Sequence, residues 1–298
     1  MLETTVVSCY YPLPQAKHTL EEYTQWIYQF LRFVDSPIVI FSEGPAADML
    51  QEMRASANLA DKFLLIRKPF QSLKFSGPEW DAKWTEELEK SNWREIHNIN
   101  LYKIWANKSF FVQEVIEYNP FNTDKFVWCD AGCWRDPVTV QVCGPGWPMA
   151  SKIEAKHIHL LAMESMDPYL AKVRAQQQWT HSQVIKEIPT QLVLTVCGTM
   201  IAGDREAWAA FAPAFEKTLE LFIEHSQFAG DDQAVLTSTA LWLHASDPEH
   251  APLFYKAPTT THFFRYGDYG IGDNWFAFQQ HFSRHDFRLE LSDSQRTV

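Results

Sequence analysis

The sequence has little that would carry it across a membrane. No run of about 18 apolar residues occurs, which predicts no transmembrane helix. The opening MLETTVVSCYYPLP lacks a basic leader and a long apolar stretch, so it does not read as a signal peptide. Basic charge is also scarce. Against 37 Asp and Glu stand 26 Lys and Arg, a net charge of −11, and the basic residues form no cluster. That argues against nucleic-acid binding through phosphate neutralisation and leaves the acidity as an aid to solubility. The five cysteines are odd in number and show no Cys-x-x-Cys. Cys129 and Cys133 have no second pair, which argues against zinc. Cys9, Cys129 and Cys197 lie in apolar runs and read as buried thiols, fitting a reducing, cytoplasmic setting. GxGxxG, the phosphate-loop pattern and GxSxG are all missing, so dinucleotide, Walker-type and α/β-hydrolase sites lack support. No repeat, low-complexity tract or linker interrupts the chain, which predicts one domain over residues 1–298.

Aromatic residues are abundant: 12 Trp, 21 Phe and 10 Tyr, in a chain that is 46% hydrophobic. Such side chains fill cores and also line pockets for flat or sugar-like ligands. Thr4–Tyr10, Pro37–Phe41 and Phe63–Ile66 are short, β-rich apolar runs that read as strands. Thr19-Leu-Glu-Glu22 is a capping box opening a helix through Tyr23, Trp26, Ile27, Phe30 and Leu31, and a second helix spans about 46–57. This alternation predicts an α/β fold with a mostly parallel central sheet flanked by helices. In such sheets ligands sit beyond the carboxyl ends of the strands. Residues 70–94 read as an irregular excursion, and 95–117 as a long helix. Strands are expected at Phe126–Asp130, His157–Met163 and Gln191–Met200. Asp204 is expected to cap a helix to Glu224, and Gly230-Asp-Asp-Gln233 to open another through Leu243.

The segment FVWCDAGCWRD, residues 126–136, ends an apolar strand on a carboxylate. Asp130 would emerge at the sheet's carboxyl edge, where it could hold a hard cation such as Mn²⁺ or Mg²⁺, or cap a turn or pair with Arg135. Ala131 and Gly132 would leave the backbone open to a bulky ligand.

The stretches Asn119-Pro-Phe, Asp124, Phe126-Val-Trp-Cys-Asp-Ala-Gly132 with Arg135, Tyr102 and Lys108-Ser-Phe-Phe-Val112, and Gly198-Thr-Met-Ile-Ala-Gly203 followed by Asp232-Gln233, resemble the HtrL/YibB-like (WlaTC) family. The order of strand-end aspartate, glycine-bearing strand, helix and Asp-Gln is also similar to retaining glycosyltransferases of the GT-A fold. The resemblance implies a GT-A-like protein that moves a sugar from a nucleoside-diphosphate, UDP-linked, donor to a glycan or other small acceptor in surface polysaccharide synthesis. It further implies roles for particular residues. Asp130 would bind Mn²⁺ or Mg²⁺ with His262 as a remote ligand. Lys108 or Arg135 would meet the diphosphate, and Tyr10 or Tyr11 would stack on the base. Ala131, Gly132 and Gly203 would lie along the donor. Asp232 and Gln233 would stabilise the cationic transition state and bind sugar hydroxyls.

Gly132 departs from the Asp-x-Asp pattern of that fold, since it offers no side-chain ligand. A binding protein that keeps the fold without catalysis is therefore one rival reading. A metal-dependent hydrolase built on Asp130, His157 and His159 is another, because alternate residues share a strand face. The acidic loop Gly267–Asp273 could close over a substrate or merely connect.

Overall fold

The computed structural model describes residues 4–13, 18–135, 143–176, 178–187, 196–257, 274–283, 288–292 and 295. Seven strands form one sheet in the order β3-β2-β1-β4-β6-β5-β7: β1 (Thr4–Cys9), β2 (Ile38–Ser42), β3 (Phe63–Arg67), β4 (Lys125–Cys129), β5 (His159–Ala162), β6 (Val196–Asp204) and β7 (Leu253–Lys256). β1, β2, β3 and β4 pair in parallel, as do β5 and β7. β6 runs against both of its neighbours, β4 and β5. The architecture is thus a mixed, mostly parallel α/β sheet of the Rossmann-like kind.

Alternation along the strands sorts their side chains to two faces. Phe126, Trp128 and Ile201 enter one core, and Val127, Cys129, Met200 and Ala202 enter the other. The strands read as continuous apolar runs because helices cover both faces. The first face carries α3 (Asp81–Lys90), α4 (Ile99–Tyr118), α5 (Asp167–Ala175), α6 (His181–Glu187), α7 (Arg205–Glu224) and α8 (Asp232–Ser246). The second is packed by α1 (Leu20–Phe33), α2 (Gly44–Ser56) and α9 (Asn274–His281). Each fully buried Phe or Leu here stabilises by about 1.5–3 kcal/mol.

Local chemistry sets the helix starts. The Thr19–Glu22 box forms in both directions: the Thr19 amide donates to Glu22 Oε2 at 2.8 Å, and the Glu22 amide to Thr19 Oγ1 at 3.2 Å. Asp204 caps α7 by accepting from the Ala207 amide at 2.8 Å. α4 begins at Ile99 rather than Glu95, because Asn98 accepts from the Leu101 amide and fixes the first turn. The stretch expected to be irregular contains α3, held by buried Trp84, whose indole donates to the Phe75 carbonyl at 2.8 Å. A composition-based reading misses such a short helix, since three of its ten residues are glutamates and its anchoring partner lies outside it. Among the described residues no helix is long and apolar enough to cross a membrane.

Candidate active site

The chain leaves β1 for β2 and β3 on one side, then returns to β4 on the other. At the carboxyl ends of β1 and β4 the connections therefore diverge, which opens a crevice suited to ligands. Tyr10 and Tyr11 follow β1 there, and Asp130 follows β4.

Asp130 is oriented from three directions. Its amide donates to the Thr199 carbonyl at 2.9 Å, because antiparallel β6 brings Gly198 and Thr199 past the end of β4. Trp128, two residues back and on the same face, donates from its indole Nε1 to Asp130 Oδ1 at 2.8 Å. That indole lies stacked on Phe111 of α4, with centroids 5.6 Å apart. The third contact is Lys108 of α4, whose Nζ stands 3.2 Å from Asp130 Oδ1. The Asp130 side chain remains 29% exposed, which makes it the member of the group that meets solvent.

Lys108 is 3% exposed, and three oxygens surround its ammonium. These are Asp130, Asp232 Oδ2 at 2.7 Å and the Gly198 carbonyl at 2.8 Å. Burial alone would push the Lys108 pKa down, but Asp130 and Asp232 outweigh it and hold the ammonium above its ordinary value. Burial raises the Asp130 carboxyl, Lys108 pulls it back, and Asp232 raises it again, for a net upward shift. Asp232 is 7% exposed, at the first turn of α8. Asp231 caps that helix, accepting from the Gln233 amide at 2.9 Å. Its own carboxyl is pushed up to about 6, by burial and then by Asp232.

Gly198 explains why β6 carries a glycine at this edge. A Cβ there would lie 2.4 Å from Asp232 Oδ2, so only glycine leaves the carboxylate its place. The glycine expected to lie along a donor, Gly203, stands at the other end of β6, opposite Phe126, about 17 Å away at the usual strand rise. The sequence does not reveal that β6 is antiparallel, and that reversal puts Gly198 rather than Gly203 at the edge.

The remaining residues singled out in the sequence divide as follows. Ala131 is buried, and the space beside Gly132 is taken by Tyr23 of α1, whose ring would be 3.2 Å from a Cβ. Arg135 is next to them on the rim. Its Nε donates to the Gly132 carbonyl at 3.1 Å, and its guanidinium lies 4.3 Å from the centre of the Trp26 ring. Tyr10 and Tyr11 are 8% and 5% exposed, and the Tyr11 hydroxyl donates to the Lys68 carbonyl, so neither presents a free ring face to a base. Gln233 follows Asp232 on α8, and its Oε1 is enclosed with no hydrogen-bond partner. Lys108 is committed inward, as a counter-ion between the two aspartates, rather than outward toward a diphosphate. Trp128, Gly198, Thr199, Tyr23 and Trp26 join the group from positions to which the sequence reading gave no role in the site. Only Trp128 carried a signal, being two residues before Asp130 and so on the same strand face.

His157 and His159 are not part of this group. His159 lies level with Val127, two strands over and about 10 Å short of Asp130 along the sheet. Its Nε2 accepts from the Glu154 amide at 2.9 Å, so Nδ1 carries the proton and donates to the Tyr255 hydroxyl at 2.9 Å. Burial drops its pKa to about 3, so the ring is neutral. His157 Nδ1 is engaged with the Ala251 carbonyl. His262 and the loop Gly267–Asp273 lie outside the described residues.

Among the described residues, no group of three or more His, Cys, Asp or Glu side chains is placed to hold a metal ion. Asp130 and Asp232 converge on one point, but the Lys108 ammonium occupies it. The residues as folded do not fit a divalent cation between them.

The family model described as "Bacterial protein of unknown function (HtrL_YibB)" matches residues 3–244, and the chain belongs to that family. No curated protein matches it.

Proposed function

We propose that this member of the HtrL_YibB family is a glycosyltransferase, moving a sugar from a nucleoside-diphosphate donor, UDP-linked, to a glycan or other small acceptor. The observation that carries the reading is the junction of three distant segments at the sheet's switch point. Strand-end Asp130, helix-start Asp232 and buried Lys108 of α4 are joined there by direct ion pairs. Burying charges costs stability, and mutually perturbed charges of this kind cluster at functional sites.

Glycosyl transfer breaks the bond between the anomeric carbon and the diphosphate oxygen. The electron pair leaves with the diphosphate, and the carbon becomes cationic on the way. The acceptor hydroxyl then forms the new bond, and its proton passes to the departing phosphate oxygen. Arg135 on the rim offers a guanidinium to the leaving group. Asp232 and the unpartnered Gln233 Oε1 supply acceptor oxygens for the cationic sugar and its hydroxyls. Asp130, partly exposed, lies between these two sides. The order of these groups supports a GT-A-like protein acting with retention, and five buried free thiols suit the cytoplasm as its place of action. Surface polysaccharide is the proposed destination of the sugar.

A thermal-shift panel of UDP-, GDP- and CMP-sugars, followed by an assay for released nucleotide, tests this. Wild type should release nucleotide, and Asp130→Ala and Gln233→Ala should be slowed by about 10²-fold or more. Equal turnover in all three would remove the assigned roles. A second reading, a nucleotide-sugar-binding protein without catalysis, is favoured by Gly132, where Tyr23 fills the room a second carboxylate would need. It gives the thermal shift with no nucleotide release.

A further inference from the structure

Two carboxylates and a backbone carbonyl converging on one point form the oxygen set with which proteins hold hard divalent cations. Here that point is filled by a side chain of the protein itself. Lys108 Nζ is 3.2 Å from Asp130 Oδ1, 2.7 Å from Asp232 Oδ2 and 2.8 Å from the Gly198 carbonyl oxygen. We propose that Lys108 is the built-in cation of this site, so that the folded protein needs no divalent ion there. Replacing it with a neutral side chain would turn Asp130, Asp232 and Gly198 into a divalent-cation site.

Three observations support this. Lys108 is held in place: its side chain is 4% exposed, and its Nζ is 5.9 Å from the centre of the Trp128 ring that also orients Asp130. Its ammonium meets all three converging oxygens, donating hydrogen bonds to the Gly198 carbonyl at 2.8 Å and Asp130 Oδ2 at 3.4 Å and ion-pairing with Asp232 Oδ2 at 2.7 Å. The oxygens also sit on independent elements, at the end of β4, in β6 and at the start of α8, so the set survives loss of the lysine as backbone geometry. Without the ammonium, Asp130 and Asp232 face each other uncompensated, which a buried site does not tolerate. A divalent ion restores the balance. Its bonds to oxygen are shorter, about 2.3–2.6 Å for Ca²⁺. The contraction falls mostly to Asp130, the partly exposed member.

The inference rests on the transferase reading only for what the cation serves, and its test uses no sugar donor, so either can fail alone. Full-length wild type, Asp130→Asn, Lys108→Met and the double variant K108M/D130N are stripped with chelator. Each is then titrated with Mn²⁺, followed by the electron paramagnetic resonance of the free ion and by thermal shift. Wild type should show no binding that Asp130→Asn removes. K108M should bind one ion per chain at least about tenfold more tightly than wild type and gain in melting temperature, and the double variant should lose both effects. If K108M is unfolded after stripping, Ca²⁺ or Mn²⁺ should refold it, as judged by circular dichroism. Three results would overturn the proposal: an Asp130-dependent ion in wild type, a folded K108M that binds no better than wild type, or an unfolded K108M that neither ion rescues.

Discussion

Two of the buried cations, Arg54 and Lys108, do opposite jobs. Arg54, on α2, is buried to 0% and donates only to backbone carbonyls: Leu31 at 2.7 Å, Val34 at 2.6 Å, Ser36 at 2.9 Å and Lys62 at 3.3 Å. It ties the end of α1, the turn into β2 and the approach to β3 into one unit, and burial drops its pKa to about 10. Lys108 donates to two carboxylates and a single carbonyl, at the edge where a ligand arrives. A cation that satisfies only neutral carbonyls is a structural fastener. A cation facing two carboxylates fixes charge, and that charge is what a polar ligand meets. Partner chemistry, rather than depth of burial, separates scaffold from site.

The contrast is open to direct tests. The largest effect is expected from Arg54→Met, which takes the donor from three buried carbonyls and one half-buried one and should cost at least about 3 kcal/mol of unfolding free energy. Whatever fraction remains folded should bind nucleotide sugar normally, and impaired binding in that fraction would erase the distinction. Asp232→Asn should follow, at about 3 kcal/mol, because it leaves the Lys108 ammonium under-compensated in a buried place. Unlike Arg54→Met, it should also abolish donor-dependent nucleotide release, and denaturation and activity measured on one preparation separate the two losses.

The two ends of β6 offer a finer cut. Gly198→Ala drives a Cβ to within 2.4 Å of Asp232 Oδ2 and should cost about 1–3 kcal/mol together with most activity. Gly203→Ala meets the flexible end of Ile158 at 2.6 Å, and should cost less than that and leave turnover of the folded protein unchanged. Equal activity losses at both ends would mean the site had been assigned to the wrong edge.

The smallest effect concerns Asp231. Its carboxyl titrates near 6 when folded, against 3.8 ordinarily, so the folded chain holds the proton through a range where the unfolded chain has lost it. Stability from this group is therefore complete below about pH 4 and falls as pH rises to about 6. Asp231→Asn keeps the helix cap and removes that penalty. It should stabilise the protein at pH 7 by about 1 kcal/mol, with the gain fading below pH 4 in urea titrations at several pH values.

Much of the fold was legible from local pattern. The short apolar runs around Val6, Ile38 and Leu64 gave strands within a residue or two of their observed limits, and Thr19, Asp204 and the Asp231-Asp232 pair marked helix starts, because capping is chemistry between near neighbours. α3, α5, α6, α9 and β7 escaped, being short and fixed by partners outside themselves, such as Phe75 for α3 and β5 for β7. Of the site, Asp130 could be picked out because a carboxylate closing an apolar strand breaks the pattern. Trp128 left a signal only in its spacing from Asp130, while Gly198 and the inward commitment of Lys108 left none.

The amino-acid order alone thus determined the α/β alternation, the helix caps and the placement of a carboxylate at the end of β4. The tertiary structure decided the direction of β6 and, with it, which glycine reaches the edge and which charges meet. The physical reason is that side-chain alternation along a strand reads the same in either direction, while an ion pair between α4 and α8 depends on how the two helices pack side by side on one face of the sheet. Local sequence carries the first kind of information, and only the assembled core carries the second.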